Sequence, residues 1–456
     1  MPGEEKTQNK PIPTAKKIKK VRADIARAVK NRVEPTLPGG FRDYGPADAI
    51  VRSQMLETIR KTFEIFGFDP METASIQRKE VLFGGEKESA KIVFEAKGSR
   101  EKKSDTALRF DLTVPFARFM AANPEISKPF KRYQIGTVWR GESPQAGRYR
   151  EFMQADIDIF GSSSMDADAE VIATIYRTLK NLGIENFVIK INSRKFLNSI
   201  LGLIGIPQDK ASAFFRLLDK REKIGNVEYK KEYEKLFNKR ITEATRAVLG
   251  LDGEDKMRTL PGATVAYQEL NKLREKLVAG GISEKFIEQD SSIARGFDYY
   301  TGVVFETFLT KAPEMGSIAS GGRYDELIVP FTGKKIPAIG ASIGIDRLFA
   351  AQEKLGLIKK QATVTKVLVL NVSARCSSDY TEMVKQLRDA GINTSLYLGD
   401  DTSFQAQFSY AVKKEIPFVV IFGEEEKKKN VVAVKNLTTR KQEEVAGSQL
   451  VEYFTK

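Results

Sequence analysis

The stretch KRYQIGTVWRGESPQAGRYREFMQADIDIFG, residues 131–161, decides how the rest of the chain is read. Tyr133, Ile135, Thr137 and Trp139 alternate up one side of it, and Phe152, Gln154, Asp156, Asp158 and Phe160 come down the other, a period of two that predicts two strands. The turn between them, Ser143-Pro144-Gln145-Ala146-Gly147, holds the Pro and Gly that a reversal of direction uses. Alternation puts Phe152, Gln154, Asp156 and Asp158 on one face and Met153, Ala155, Ile157 and Ile159 on the other. One face is apolar and the other is equipped for polar chemistry. Arg140, Arg148 and Arg150 gather at the turn beside Glu142 and Glu151, and guanidinium is suited to bidentate binding of phosphate or carboxylate. An exposed hairpin laced with salt bridges would account for the arginines. It would not account for Gln and Asp in a half-buried strand.

Composition narrows the chemistry. The 456 residues leave room for two to four domains, each with its own core. No apolar run approaches the roughly 18 residues of a membrane span, and the N-terminus is polar and lysine-rich, unlike a signal peptide. The lone Cys376 cannot form an internal disulfide, so a cytoplasmic protein is expected. A net charge of +14 favours a polyanionic partner. The chain contains no histidine, which excludes an imidazole general base, a histidine triad and histidine metal ligands. Its chemistry falls to carboxylates, Arg, Lys, Tyr, backbone groups or a bound ion.

Residues 1–34 read as a basic, disordered tail. Over residues 1–32, ten Lys and Arg stand against Glu4, Glu5 and Asp24, with Pro2, Pro11 and Pro13 interrupting. A nucleic-acid arm and a solubilising extension fit equally. Val51, Met55, Ile59 and Phe63 recur every four residues and predict a helix from Pro46 to Phe66, ended by Gly67. After an exposed excursion over 81–106, Leu108 to Thr113 reads as a strand with Arg109, Asp111 and Thr113 on one face, ahead of a helix opened by Pro115. A helix from Asp166 to Leu182, with Ala169, Ile172, Ala173 and Tyr176 inward, leads to a strand at Phe187 to Ile191. Residues 194–288 are helical, highly charged and poor in strand signals, as an inserted module would be. Ser292 to Glu306 then reads as a strand carrying Arg295, Tyr299 and Tyr300, and Ser320 to Asp325 as a tight Gly-Gly turn. Ala338 to Leu348 is a glycine-spaced strand entering a helix near Asp346. Arg347 falls at the helix N-terminus, where free N–H groups favour phosphate. Gly340 and Gly344 could serve close packing alone. From Thr365 the texture is βαβ, with strands near Val367, Thr394 and Phe418 separated by helices at Asp379 to Asp389 and Ser403 to Lys413, a separate α/β domain.

Taken in this order, the segments resemble those of the histidyl-tRNA synthetases, class II aminoacyl-tRNA synthetases, over about residues 37–456. Residues 131–161 resemble motif 2, ARGFDYYTG at 294–302 the family's histidine-binding signature, and Gly344 to Arg347 motif 3. The resemblance implies an α+β catalytic domain on an antiparallel sheet, in two parts at 35–193 and 289–360. It also implies a helical insertion at 194–288 and a C-terminal α/β anticodon-binding domain at 365–456. The implied reaction joins L-histidine to tRNA(His) with ATP as substrate and Mg2+ accompanying it, no metal being held by the protein's own ligands. A homodimer is implied through motif 1, the long helix and the strand after Gly67.

By the same resemblance, Arg140 holds the α-phosphate and carboxylate and Arg347 the ATP. Arg295 stands on the α-phosphate, where related synthetases place a metal ion, and belongs to the histidine site. Phe152 stacks on adenine with Glu142 near its amino group. Asp111, Thr113 and Gln154 hold the α-amino group, and Asp158 with Tyr299 and Tyr300 the imidazole. Ser143 and Gln145 fall in the loop that meets the tRNA acceptor end, and Ser143 replaces an arginine common in bacterial members. Ala74 stands where the family usually has proline, and residues 403–407 lack a common lysine. A synthetase-like regulatory subunit, or a tRNA-sensing module without aminoacylation, is the alternative. The retained ligand residues and C-terminal domain weigh against it.

Overall fold

The computed structural model describes residues 33–83, 93–141, 149–211, 213–215, 217, 228, 231–237, 263–290, 293 and 300–455. An eight-stranded sheet organises the first three quarters of the chain. Phe130–Trp139 and Glu151–Phe160 pair antiparallel, from Phe130 opposite Phe160 to Trp139 opposite Glu151. Ala338–Gly344, Ser317–Arg323, Val303–Leu309 and Phe187–Ser193 continue the sheet, each antiparallel to the last. Parallel pairing is confined to the edges, where Asp69–Pro70 lies beside Arg132 and Tyr133 and Ile287–Gln289 beside Phe187–Ser193.

Directly paired residues share a face, so the register sorts the sheet into rows. Tyr133, Ile157, Ala341, Gly321, Phe305 and Ile191 make one row of the apolar face. The helices Pro46–Ile65, Met165–Asn181, Ala263–Ala279 and Ile345–Lys354 pack their apolar sides against that face. Val51, Met55, Ile59 and Phe63 are all buried there, as their four-residue spacing requires. The other face is polar. One of its rows runs across seven strands as Gln134, Asp156, Ser342, Ser320, Glu306, Lys190 and Glu288. The next runs Arg132, Asp158, Gly340, Gly322, Val304 and Asn192.

Four local expectations are corrected. The strand expected from Leu108 to Thr113 is Thr106–Leu108, the middle strand of a small sheet with Ile76–Arg78 and Glu95–Ala96. Asp111 Oδ1 accepts a hydrogen bond from Val114 N at 3.1 Å, and this capping bond draws the backbone into the helix Thr113–Ala122 before Pro115 is reached. Ser320, Gly321 and Gly322 lie within the strand Ser317–Arg323 and form no turn. Its glycines let neighbours approach, since a Cβ at Gly321 would lie 2.3 Å from the carbonyl oxygen of Gly340. The helix Met165–Asn181 turns Val171, Ile172, Ile175 and Leu179 fully inward, with Ala169, Ala173 and Tyr176 only partly buried on its flank. Finally, the stretch 194–288, read as poor in strand signals, ends in the strand Ile287–Gln289, which joins the sheet, and its Leu270, Leu273 and Leu277 pack into the main core.

Residues 366–455 form a second sheet with a core of its own. Thr394–Leu396, Val367–Val369 and Phe418–Ile421 are parallel, as the βαβ texture predicts. Val431–Asn436 and Gln442–Ala446 extend it antiparallel, two strands that the sequence reading does not include. Among the described residues no helix is long and apolar enough to cross a membrane.

Candidate active site

The polar face of the hairpin Phe130–Trp139 and Glu151–Phe160 carries a buried ion pair. Arg132 and Asp158 are cross-strand partners. Arg132 Nη2 lies 2.6 Å from Asp158 Oδ2, and both side chains are nearly inaccessible to solvent. The Tyr324 hydroxyl donates to the other oxygen, Asp158 Oδ1. The carboxylate can occupy this place only because residue 340 has no side chain: a Cβ there would fall 2.0 Å from Asp158 Oδ1. Gly322, next in the row, leaves the same kind of room for the Tyr300 ring, 2.8 Å from where its Cβ would stand. Burial raises the Asp158 carboxyl above its ordinary range, with Arg132 and Tyr324 opposing.

Two more acids share this floor. Burial pushes Asp156 up to about 7, Arg132 pulls it down and Asp158 raises it. Burial likewise pushes Asp111 up to about 6 against its bond from Val114 N and the charges of Arg140 and Arg132. Gln154 Nε2 donates to Ser342 Oγ at 2.8 Å, and the Ser342 hydroxyl, opposite Asp156 in the register, opposes the rise of its carboxyl. Asp111 Oδ2, Gln154 Oε1, Asp156 Oδ1 and Asp158 Oδ2 are buried acceptors that receive no hydrogen bond from a described protein group, the last of them facing Arg132 as an ion pair. Leaving a buried acceptor unmatched costs about 1–3 kcal/mol. An acid-rich floor with matched geometry and unmatched acceptors suits a small ligand bearing several N–H donors.

The anion-facing groups sit toward one end of the hairpin. Arg140 Nε donates to the carbonyl of Phe110 at 3.1 Å, and its guanidinium carbon stands 5.0 Å from the centre of the Phe152 ring. Arg347 follows the strand Ala338–Gly344 in the first turn of Ile345–Lys354 and donates to the carbonyl of Ser317. Beside it, Asp346 is the anchor of the helix start. Its Oδ1 accepts from Arg52 Nη1 at 2.9 Å and from the Tyr44 hydroxyl, and its Oδ2 accepts from Met153 N at 2.7 Å. Arg52 in turn lies over the Tyr44 ring, 3.9 Å from its centre.

Of the residues expected at the site, Asp111, Gln154 and Asp158 come together on this floor, with Thr113 and Tyr300 half-buried at its border. Arg140 and Phe152 meet each other, and Arg347 lies beyond the Gly344 to Gln154 pairing. Glu142, Ser143, Gln145, Arg295 and Tyr299 lie outside the described residues. Sequence reasoning missed Arg132, Tyr324, Ser342 and Asp346 and gave Asp156 no role. Arg132 was recoverable in principle, because hairpin register alone sets it opposite Asp158, whereas Ser342 comes from a strand outside the hairpin.

A family profile described as "Histidyl-tRNA synthetase" matches residues 40–348, well over half of the chain. The chain belongs to the histidyl-tRNA synthetase family. A profile described as "Anticodon binding domain" matches residues 366–456 of this synthetase family member. It is 40% identical over 433 residues to a histidine–tRNA ligase of Rhodopirellula baltica, covering 91% of this chain and 96% of that one. A crystal structure of a histidyl-tRNA synthetase from Nostoc sp. PCC 7120 superposes with a TM-score of 0.80 at 32% identity, covering 93% of this chain and 99% of that one. A Bacillus halodurans protein titled "ATP phosphoribosyltransferase regulatory subunit/histidyl-tRNA synthetase" superposes at 0.68 with 23% identity, covering 83% of this chain and 97% of that one. That similarity shows a shared fold. The antiparallel central sheet and the C-terminal sheet-and-helix domain are thus those of a histidyl-tRNA synthetase.

Proposed function

We infer that this chain is a histidine–tRNA ligase, and the observation that carries the reading is the buried acid floor of Asp111, Asp156 and Asp158 in a chain of this family. An ammonium group and an imidazole are N–H donors of the kind such a floor receives. In the first step the histidine carboxylate attacks the α-phosphorus of ATP; a P–O bond forms and the bond to pyrophosphate breaks. In the second, the terminal ribose hydroxyl of tRNA(His) attacks the adenylate carbonyl, and AMP leaves.

Charge develops on phosphate oxygens in the first step, so positioned guanidinium groups lower the barrier without a protein base. Arg140 and Arg295 take the α-phosphate, and Arg347 the rest of the nucleotide. Phe152 stacks on adenine, with Glu142 at its amino group. Asp111, Thr113 and Gln154 hold the α-ammonium group. Asp158, with Tyr299 and Tyr300, faces the imidazole, and Arg132 and Tyr324 keep that carboxylate in place. Ser143 and Gln145 meet the acceptor end of the tRNA.

The parts of the chain divide this work. Residues 35–193 and 289–360 make the catalytic domain, 194–288 a module anchored on it, and 365–456 the anticodon binder, with 1–34 as a basic tail. Mg2+ travels with the ATP phosphates. Among the described residues no group of three or more potential ligand side chains gathers to hold a metal. The working form is a cytoplasmic homodimer paired through Pro46–Ile65 and the short strand after Gly67. A regulatory subunit without ligase activity would have no use for the anticodon-binding domain.

ATP–pyrophosphate exchange with each proteinogenic amino acid tests the reading. Exchange with histidine alone is expected. Exchange absent with histidine, or stronger with another amino acid, overturns it.

A further inference from the structure

We propose that Asp156 is a specificity-determining residue of the histidine pocket, its Oδ1 taking one N–H of the substrate's α-ammonium group beside Gln154 Oε1 and Asp111 Oδ2. This rests on the reading of the chain as a histidine–tRNA ligase. Asp156 is 2% exposed, in the strand Glu151–Phe160, on the polar face between Gln154 and Asp158. Its cross-strand neighbours are Gln134 and Ser342.

Ser342 is the hub of the argument. Its hydroxyl accepts from Gln154 Nε2, so the amide is oriented with its oxygen left over, and it stands directly opposite Asp156 in the register, whose Oδ1 receives no hydrogen bond from a described group. Two residues apart on one strand, Gln154 and Asp156 present these acceptors on the same face. Asp111 supplies the third acceptor. Its Oδ1 is used by Val114 N, and Oδ2 receives nothing from a described group.

An ammonium group has three N–H donors and no acceptor. Three buried acceptors, two of them carboxylates, match that number and its charge. The imidazole cannot use all three, because its two ring nitrogens point apart. Asp158 Oδ1 receives the Tyr324 hydroxyl and its Oδ2 faces the Arg132 guanidinium, which fixes that carboxylate for the imidazole. The charged groups around Asp156 are Arg132, Arg109, Asp158 and Asp111. With Asp156 itself, three acids stand there against two guanidiniums, a balance that a cationic ligand completes.

Calorimetric titration of the full chain with histidinol, which keeps the ammonium group, and with 3-(imidazol-4-yl)propionate, which lacks it, tests the assignment. In Asp156→Asn and Asp156→Ser, histidinol affinity should fall by at least about tenfold, the scale of a lost charge-assisted hydrogen bond, while the propionate binds as it does to the parent. An unchanged histidinol affinity overturns the proposal, and so does an equal loss for both ligands, which would mark a merely structural role. A parent protein that binds histidine and histidinol not at all overturns the ligase reading itself, and the proposal with it.

Discussion

Replacing Asp346 by Asn should loosen the junction between the first long helix and the helix that carries Arg347. The carboxylate receives Arg52 Nη1 at 2.9 Å, the Tyr44 hydroxyl and Met153 N at 2.7 Å, and Arg52 is only 9% exposed. Asn keeps the shape but leaves Arg52 a buried cation without its counter-charge. Removing one member of such a pair costs about 3–5 kcal/mol, most of it from the charge left behind. The body spanning residues 40–348 holds about 300 residues. At about 2.1 cal/mol/K per residue its unfolding entropy is roughly 0.6 kcal/mol/K, so the loss corresponds to about 5–8 °C in the melting temperature. Arg347 is the next residue, so KM for ATP in pyrophosphate exchange should rise while KM for histidine changes little. A double variant, Arg52→Met with Asp346→Leu, removes both charges and should recover at least about half of the lost stability. Scanning calorimetry of the three proteins reads the stabilities, and pyrophosphate exchange reads the KM values. An Asp346→Asn protein melting within about 1 °C of the parent would refute the reasoning.

Two other perturbations reach the acid floor. Gly340→Ala would set a methyl group 2.0 Å from Asp158 Oδ1 and 2.8 Å from the carbonyl oxygen of Ile157. It should cost about 1–3 kcal/mol of stability and raise KM for histidine, and a variant with parental melting temperature and KM would contradict the placement of Asp158. Asp111 and Asp156 sit at about 6 and about 7, and Asp168 at about 6, all raised by burial from the ordinary 3.8. The folded chain holds these protons more tightly than the unfolded one. Their stabilisation is therefore complete below about pH 4 and is lost as pH rises toward 7. Histidine needs the carboxylates ionised, so its affinity should rise over the same interval. Melting temperature without ligand and histidine Kd at several pH values between 5 and 8 check both signs, and two flat profiles would contradict them.

The sequence made the apolar side of the fold readable because periodicity reports burial directly. Val51, Met55, Ile59 and Phe63 needed no partner to be identified, and neither did the alternation of Ala155, Ile157 and Ile159 against Gln154, Asp156 and Asp158. What failed were places where one side-chain bond redirects the backbone. Asp111 capping Val114 N ends a strand that alternation alone would prolong. At the site, single residues were recognised by resemblance but their partners were not. Arg132 reads as one more surface cation until register sets it opposite Asp158, and Tyr324 reaches that carboxylate from just past the strand Ser317–Arg323, well over a hundred residues away in sequence. In the sequence, Asp346 marks only the start of a helix. Its contacts with Arg52 and Tyr44 depend on how two distant helices pack.

The glycines beneath Asp158 and Tyr300 also bear on how such a pocket can change over time. At most positions of a binding site mutation can enlarge or shrink the space, so selection can explore both directions. At 340 and 322 the boundary of the cavity is the missing side chain itself, with the main chain of the sheet directly behind it. Every substitution there adds atoms, and none removes them. Drift at these two points runs only toward occlusion, so any widening of amino-acid preference has to begin at the side chains across from them.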